Sequence, residues 1–293
     1  MEKLVKETLI YNDIIASEVV CFEKDEKTNV VSMIIRNIDF NNDKIVNVLN
    51  QICSTKMVLE EVLPENEGDL IYLSYKTAPV YDISVGIARE NKGGETVNGD
   101  SYSAIKLLND KFMFAICDGM GHGEKANKAS ELAINMIENF YKAGYDNQNI
   151  LTSVNKLLNL GEENVFSALD ISVVNLKNGE IDFIKQGATV GFIKTGGEIN
   201  WIESNSLPMG ILQEVTPKIT KTILSPEDII IMLSDGIVDS FGEEELEKYL
   251  KNLNKINPQE IADCILNQAK RNQRNYPKDD MTVLVGRLYY NAS

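Results

Sequence analysis

Aspartates border several of the apolar segments that the sequence predicts to be buried β-strands. Asp100, Asp118 and Asp235 each stand immediately before or after such a segment, and Asp279 and Asp280 together precede another. A lone carboxylate at the end of a buried strand is costly to desolvate unless a cation compensates its charge. The pattern therefore predicts a β-sheet protein with acids at the ends of its strands and a cation that compensates their charge.

A predicted hairpin brings two of these acids together. Its strands cover 101–107 and 112–117, and the turn is expected at Asn109–Asp110. Antiparallel pairing about this turn places Asp100 beside Asp118, even if the register shifts by one residue. Asp235 and Asp279 would meet in the same way if their strands are antiparallel neighbours. The sequence leaves that question open, because two predicted helices intervene.

Clustered carboxylates repel each other unless they share a proton or bind a cation. Oxygen ligands without His or Cys select Mg2+ or Mn2+, with Ca2+ less favoured. Two such ions about 4 Å apart form a hydrolytic site for phosphate esters. The segment 118–123 adds three glycines between a strand and a helix, a tight bend that exposes the Gly119 carbonyl to a metal. The helix N-terminus beyond it favours an anion.

The charge balance excludes several functions. The 293 residues include 44 Asp and Glu against 29 Lys and Arg, a net charge of −15, with no basic cluster. Duplex DNA and anionic lipid both require basic patches, so we expect no nucleic-acid partner. No apolar run approaches the ~18 residues of a membrane span, and no signal peptide begins the sequence. Four scattered cysteines and one histidine exclude a Cys/His zinc cluster and predict a reducing, cytoplasmic location.

The chain is predicted to be of the α+β class and to contain two parts. Residues 1–78 form a small α/β segment, and residues 79–293 form a larger domain of antiparallel sheets covered by helices. The predicted helices are 3–14, 43–53, 124–141, 149–160, 243–253 and 258–273. Asn41 or Asn42 is the expected N-cap of the second helix, and Asn257 caps the last one.

Other residues that could carry chemistry have simpler interpretations. His122 is the sole histidine, but it lies where a loop enters a helix, and we expect it to be exposed rather than catalytic. Asp280 is interpreted as a solvated neighbour of Asp279. Asp170 is interpreted as an ordinary strand-end or hydrogen-bonded residue. Three cations near the acids are expected to be surface charges: Arg89, Lys92 and Lys125.

Four motifs together resemble a known family. They are Asn98-Gly99-Asp100, Asp118-Gly119-Met120-Gly121-His122-Gly123, Ser234-Asp235-Gly236 and Asp279-Asp280-Met281-Thr282. In this order they resemble the metal-dependent protein phosphatases of the protein phosphatase 2C type. The branch most similar is that of the stage II sporulation protein E phosphatases, to which 99–103 and 206–212 are also similar. The resemblance covers roughly residues 80–290.

The resemblance implies an αββα sandwich, two packed antiparallel sheets flanked by helices, with two Mn2+ or Mg2+ ions at one end. Asp118 would be the catalytic residue that bridges both ions. Asp100 and the Gly119 carbonyl would complete one metal site, and Asp235 and Asp279 the other. A metal-activated water would attack a phosphoserine in line. The implied substrate is a phosphorylated anti-sigma factor antagonist in sporulation sigma-factor control.

The sequence departs from the family pattern at several points. Met120 stands where eukaryotic members carry a histidine, and their upstream phosphate-binding arginine motif is absent, so the phosphate clamp is unassigned. Full-length sporulation members are anchored at the division septum by an N-terminal membrane region without a counterpart here. Residues 1–78 would match the regulatory segment. Helices 124–141 and 149–160 could pair two subunits, because Leu132, Ile134, Met136 and Ile137 give the first an excess of apolar residues.

Two rival functions stay open. One is an inactive phosphatase-like module that binds a phosphoprotein, although the complete acid set argues against it. The other is an ATP-binding module of the histidine-kinase type, because 118–123 also fits its D-x-G-x-G loop. That fold requires an Asn-bearing helix before the loop, whereas a strand hairpin is predicted here.

Overall fold

The computed structural model describes residues 1–25, 28–64, 69–119, 123–159, 167–203, 206–211 and 219–291. The chain divides into two compact units, Met1–Pro79 together with Asn291, and Val80–Tyr290. None of the helices in the described ranges combines the length and the hydropathy that crossing a bilayer requires.

The first unit is a four-stranded antiparallel sheet with two helices. Its elements are α1 (Glu2–Tyr11), β1 (Ala16–Asp25), β2 (Thr28–Arg36), α2 (Asn42–Cys53), β3 (Met57–Pro64) and β4 (Leu70–Thr77). The strand order is β1-β2-β4-β3. Asn41 caps α2 as predicted, because its side chain accepts a hydrogen bond from the Lys44 amide at 3.0 Å. The predicted first helix ends three residues early, at Tyr11.

The second unit contains two five-stranded antiparallel sheets within the described ranges. The first has the order β11-β10-β13-β14-β5 and the second β12-β9-β8-β7-β6. The strands are β5 (Tyr81–Glu90), β6 (Asp100–Leu107), β7 (Lys111–Gly119), β8 (Ser167–Asn175), β9 (Glu180–Gln186), β10 (Gly191–Thr195), β11 (Glu198–Ile202), β12 (Ile219–Ile223), β13 (Ile229–Leu233) and β14 (Met281–Tyr290).

Helices cover the outer face of each sheet. They are α3 (Gly123–Lys142), α4 (Asn147–Asn159), α5 (Asp235–Phe241), α6 (Glu243–Asn252) and α7 (Pro258–Asn272). Alternation along β7 shows the layering, since Met113 and Cys117 pack with α3 and α4 whereas Phe114 and Ile116 pack with the other sheet. Helices α5 to α7 pack on the far side of the first sheet. The predicted αββα sandwich is confirmed.

Strand β12, helix α5 and the 3-10 turn Asn37–Asp39 were not predicted. Asn257 caps α7 as predicted and accepts hydrogen bonds from the amides of Gln259 and Glu260. Two predicted segments lie partly outside the described residues, since Leu160 ends the predicted helix 149–160 and Leu212 ends the segment 206–212.

Candidate metal centre

The β6–β7 hairpin brings Asp100 and Asp118 together. Asn109 and Asp110 both adopt left-handed conformations, with φ of 58° and 56°, and this tight turn fixes the register. Asp100 pairs directly with Asp118, as the sequence predicts. Asp100 is 1% exposed, and its Oδ2 atom has no hydrogen-bond partner in the described part of the chain.

Strands β13 and β14 are antiparallel neighbours, which settles the question left open by the sequence. The Ser234 amide donates to the Thr282 carbonyl at 3.0 Å, and the Thr282 amide donates to Ser234 Oγ at 2.8 Å. Asp235 therefore follows one strand where Asp279 precedes the other. Gly236 permits this approach, because a Cβ at this position would lie 2.1 Å from the Asp280 carbonyl oxygen.

The carboxyl of Asp118 lies within the electrostatic field of four other acids. Burial and, to a smaller extent, the charges of Asp100, Asp235, Asp279 and Asp280 together raise the pKa of Asp118 to about 8. Desolvation also raises the pKa of Asp235, followed by the charge of Asp279, although the residue is exposed at the edge of the site. The acids therefore form one interacting cluster.

Asp100 is the most buried of the four candidate ligands. Its pKa is raised to about 6, chiefly by burial; the Thr282 and Ser234 hydroxyls oppose this increase, and repulsion from Asp280 and Asp235 adds to it. A buried carboxylate with one unpartnered oxygen and like charges around it is stabilised by a cation.

The donor chemistry fits a hard divalent cation, since the clustered side chains offer only oxygen. Within the described ranges, however, no group of three or more Asp, Glu, His or Cys side chains is arranged as a formed metal site. The unpartnered Oδ2 of Asp100 points to the same need for a cation.

Asp280 is not a solvated neighbour of Asp279, and that interpretation was wrong. The residue is buried, and its carboxylate accepts hydrogen bonds from the Lys92 amide at 2.9 Å and the Gly99 amide at 2.8 Å. It therefore fastens the start of β14 to the segment that leads into β6. Asp279 is only partly buried, so its carboxyl is the one of the pair left for a ligand.

Two further groups hold the loops of the site. Arg89 is more than a surface charge, because its Nη2 donates to the Asp100 carbonyl and its guanidinium lies 5.2 Å from the Tyr102 ring centroid. Ser130 on α3 donates to the Gly99 carbonyl at 2.7 Å. Lys125 is exposed, as expected.

Gly119 lies at the end of β7 beneath α3. A Cβ at this position would lie 2.1 Å from the Ala126 carbonyl oxygen. The first turn of α3 can therefore pack this closely on the end of β7 only because residue 119 is glycine. Met120, Gly121 and His122 lie outside the described residues, and the prediction for His122 stays a prediction. A strand, β7, precedes this loop, which does not match the helix required by the ATP-binding alternative.

An αββα sandwich with acids gathered at one end of both sheets defines a PP2C-type serine/threonine phosphatase domain. Residues 109–289 match the stage II sporulation protein E (SpoIIE) family, and the chain belongs to that family. The recognition made from the four motifs is confirmed.

Individual relatives agree with this assignment. Stage II sporulation protein E of Priestia megaterium is 33% identical over 252 residues, which cover 81% of this chain and 43% of the relative. The chain spans less than half of the length of the curated relatives that it matches.

Two solved structures are similar. One contains the PP2C phosphatase domain and a fragment of the regulatory domain of the cell fate determinant SpoIIE from Bacillus subtilis, with a TM-score of 0.75 and 28% identity. That alignment covers 99% of this chain and 87% of the other. RsbX in complex with magnesium shares the fold, with a TM-score of 0.57 and 18% identity over 79% of this chain and 100% of that chain.

Proposed function

We propose that this chain is a metal-dependent phosphatase that hydrolyses phosphoserine on a phosphorylated anti-sigma factor antagonist, in sporulation sigma-factor control. The observation that carries this proposal is the direct pairing of Asp100 with Asp118 inside a cluster of five acids, in a chain of the SpoIIE family. The acid set is intact, which favours an active enzyme over an inactive binding module.

The proposed metal ligands are distributed over both sheets. Asp118 would bridge two Mn2+ or Mg2+ ions, with Asp100 and the Gly119 carbonyl at one and with Asp235 and Asp279 at the other. Ions bound there would supply Lewis-acid stabilisation of phosphoryl oxygens and a water of lowered pKa. Asp280 and Arg89 hold the backbone that presents these ligands. The magnesium complex of RsbX supports the choice of metal.

We assign residues 1–78 as a regulatory segment and 79–293 as the phosphatase domain. The compact units of the fold and the regulatory fragment in the similar SpoIIE structure support this division. All four cysteines lie in described parts of the chain and are free thiols, which supports a cytoplasmic location.

We also propose a homodimer through helices 124–141 and 149–160, but fewer of the apolar residues of the first helix are exposed than the sequence suggests. Ile134 and Ile137 are buried in the core of their own domain, and Met136 packs against it, whereas Leu132 is 50% exposed. Light scattering in the presence of Mn2+ and substrate tests the pairing. A Leu132→Ser variant should shift the mass toward the monomer, and a parent mass that stays monomeric at every concentration contradicts the proposal.

Hydrolysis of p-nitrophenyl phosphate and of a phosphoserine peptide tests the activity. We expect Mn2+-dependent turnover that EDTA abolishes and that Asp118→Asn lowers by roughly a thousandfold, the scale of losing a catalytic group. Asp182→Asn is the matched control, because it makes the same change in a partly buried aspartate of the second sheet that pairs with Lys221 and Asn147 and does not belong to the acid cluster. Turnover that survives both EDTA and Asp118→Asn would refute the binuclear site, and ATP binding without turnover would favour the ATP-binding alternative.

A further inference from the structure

A buried ion pair lies between the two sheets, next to the candidate metal centre. Asp170 on β8 pairs directly with Lys185 on β9, and both side chains are almost fully buried. The Lys185 ammonium donates to Asp170 Oδ2 and, at 2.8 Å, to the Thr189 carbonyl. The other carboxylate oxygen, Asp170 Oδ1, is buried and has no hydrogen-bond partner among the residues described.

Asp170 faces the same side of its sheet as Asp118 of the candidate metal centre. On β8 it is two residues from Ala168, which pairs directly with Asp118. Residues two apart on a strand face the same side of the sheet, so Asp170 and Ala168 both face the space between the sheets. Ala168 is small, which leaves room at the level of Asp118.

A cavity of about 40 Å³ occupies this room. Its lining includes Asp118, Ala168, Asp170, Thr189, Ser234 and Asp235. A buried water requires roughly 10–15 Å³ and two to four polar partners, so a cavity of about 40 Å³ has room for about three waters, and its lining offers polar groups to bind them. A buried carboxylate oxygen left without a partner is costly, and a water at this place would satisfy it.

We propose that internal water in this cavity joins the free oxygen of Asp170 to the carboxyls of Asp118 and Asp235. The Asp170–Lys185 pair is then a positioning device that orients Asp118 for metal binding without touching substrate. Lys185 compensates the charge of Asp170, so water rather than a further cation suits the cavity. Partners behind metal ligands commonly change metal affinity by 10–100-fold. This inference rests on the proposed metal-dependent function.

A double variant tests the inference without leaving a buried charge unpaired. Asp170→Leu with Lys185→Met replaces the pair by apolar groups of similar volume, a change that proteins often tolerate. By calorimetry we expect the Mn2+ dissociation constant to rise about 10–100-fold. At saturating Mn2+ the KM for p-nitrophenyl phosphate should not change, because the pair does not contact substrate.

Ser172→Ala is the matched control. Ser172 lies on the same strand and the same face, two residues further from the site, and its Oγ is also buried without a hydrogen-bond partner in the described ranges. It does not line the cavity, so its removal should leave Mn2+ affinity unchanged. An equal loss of affinity in this control would overturn the inference.

Further outcomes of these measurements also test the inference. Parent-like Mn2+ affinity in the folded double variant overturns the positioning role alone. A parent protein that binds no Mn2+ overturns both this inference and the proposed function. A crystal structure of the Mn2+-bound parent tests the water even if the double variant does not fold. Ordered water contacting Asp170 and Asp118 supports the inference, and a dry or cation-filled cavity overturns it.

Discussion

Asp118 and Asp170 lie on neighbouring strands and face the same layer between the sheets, yet their surroundings are opposite. Asp170 has the Lys185 ammonium as an ion-pair partner. Asp118 is surrounded by the charges of four further aspartates. A lysine of the chain therefore compensates the charge of the inner acid, whereas the carboxyl of Asp118 faces like charges that the proposed metal ions would compensate.

Removing the cation of the inner pair should have the largest effect. Lys185→Met leaves the Asp170 carboxylate buried and unpaired, and we expect a loss of about 3–5 kcal/mol of unfolding free energy. Urea denaturation of the metal-free protein measures it. Lys221→Met is the control, because Lys221 is 71% exposed in its ion pair and should cost under about 1 kcal/mol. Equal losses of unfolding free energy in the two variants would show that the buried pair contributes no more to stability than the exposed one.

The two adjacent aspartates that precede β14 should have different roles, Asp280 in stability and Asp279 in metal binding. Asp280→Ala removes a carboxylate that binds two backbone amides, and we expect a loss of about 1.5–3 kcal/mol. Asp279→Ala should cost under about 1 kcal/mol without metal but should abolish Mn2+ binding at its site. Denaturation and calorimetry on both variants measure the difference. The assignment fails if Asp279→Ala is the more destabilising change in metal-free protein.

A smaller effect concerns pH. In the metal-free folded state the pKa of Asp118 is raised to about 8, whereas an unfolded aspartate titrates near 3.9. The folded state therefore binds the proton more tightly, and this contribution to stability is full below pH 4 and is lost as pH rises to 8. Because the acids titrate as one coupled group, the shift belongs to the group rather than to Asp118 alone.

The measurement is the melting temperature of parent and Asp118→Asn from pH 5.5 to 8.5, in EDTA. The parent should lose stability relative to the variant as pH rises, so at pH 8 Asp118→Asn should melt at the same temperature or higher. Parallel curves for the two proteins would contradict the raised pKa. Mn2+ should stabilise the parent and not the variant.

Local sequence determines the parts of the site that were predicted. The turn at Asn109–Asp110 fixes a short hairpin, so the pairing of Asp100 with Asp118 follows from counting residues. The caps at Asn41 and Asn257 are also local, since each accepts hydrogen bonds from amides two or three residues ahead. Alternating and continuous apolar runs placed most strands for the same reason.

Contacts between distant segments explain what was missed. The amides that bind Asp280 belong to Lys92 and Gly99, more than 180 residues earlier, so nothing beside Asp280 in sequence reveals its burial. The pairing of Asp170 with Lys185 is a different case, because the two residues are only 15 apart in the β8–β9 hairpin and counting residues about its turn would have found the pair. Helix α5 has only seven residues and begins at Asp235, too short for a periodic signal.

Strand β14 is the last strand of its domain in sequence, but it lies inside its sheet, between β13 and β5. Until it is inserted, the sheet is divided, and Asp279 and Asp280 are far from Asp100 and Asp118. The β6–β7 hairpin can join two of the acids early in synthesis, but the five-acid cluster can assemble only after β14 has been made and inserted between β13 and β5.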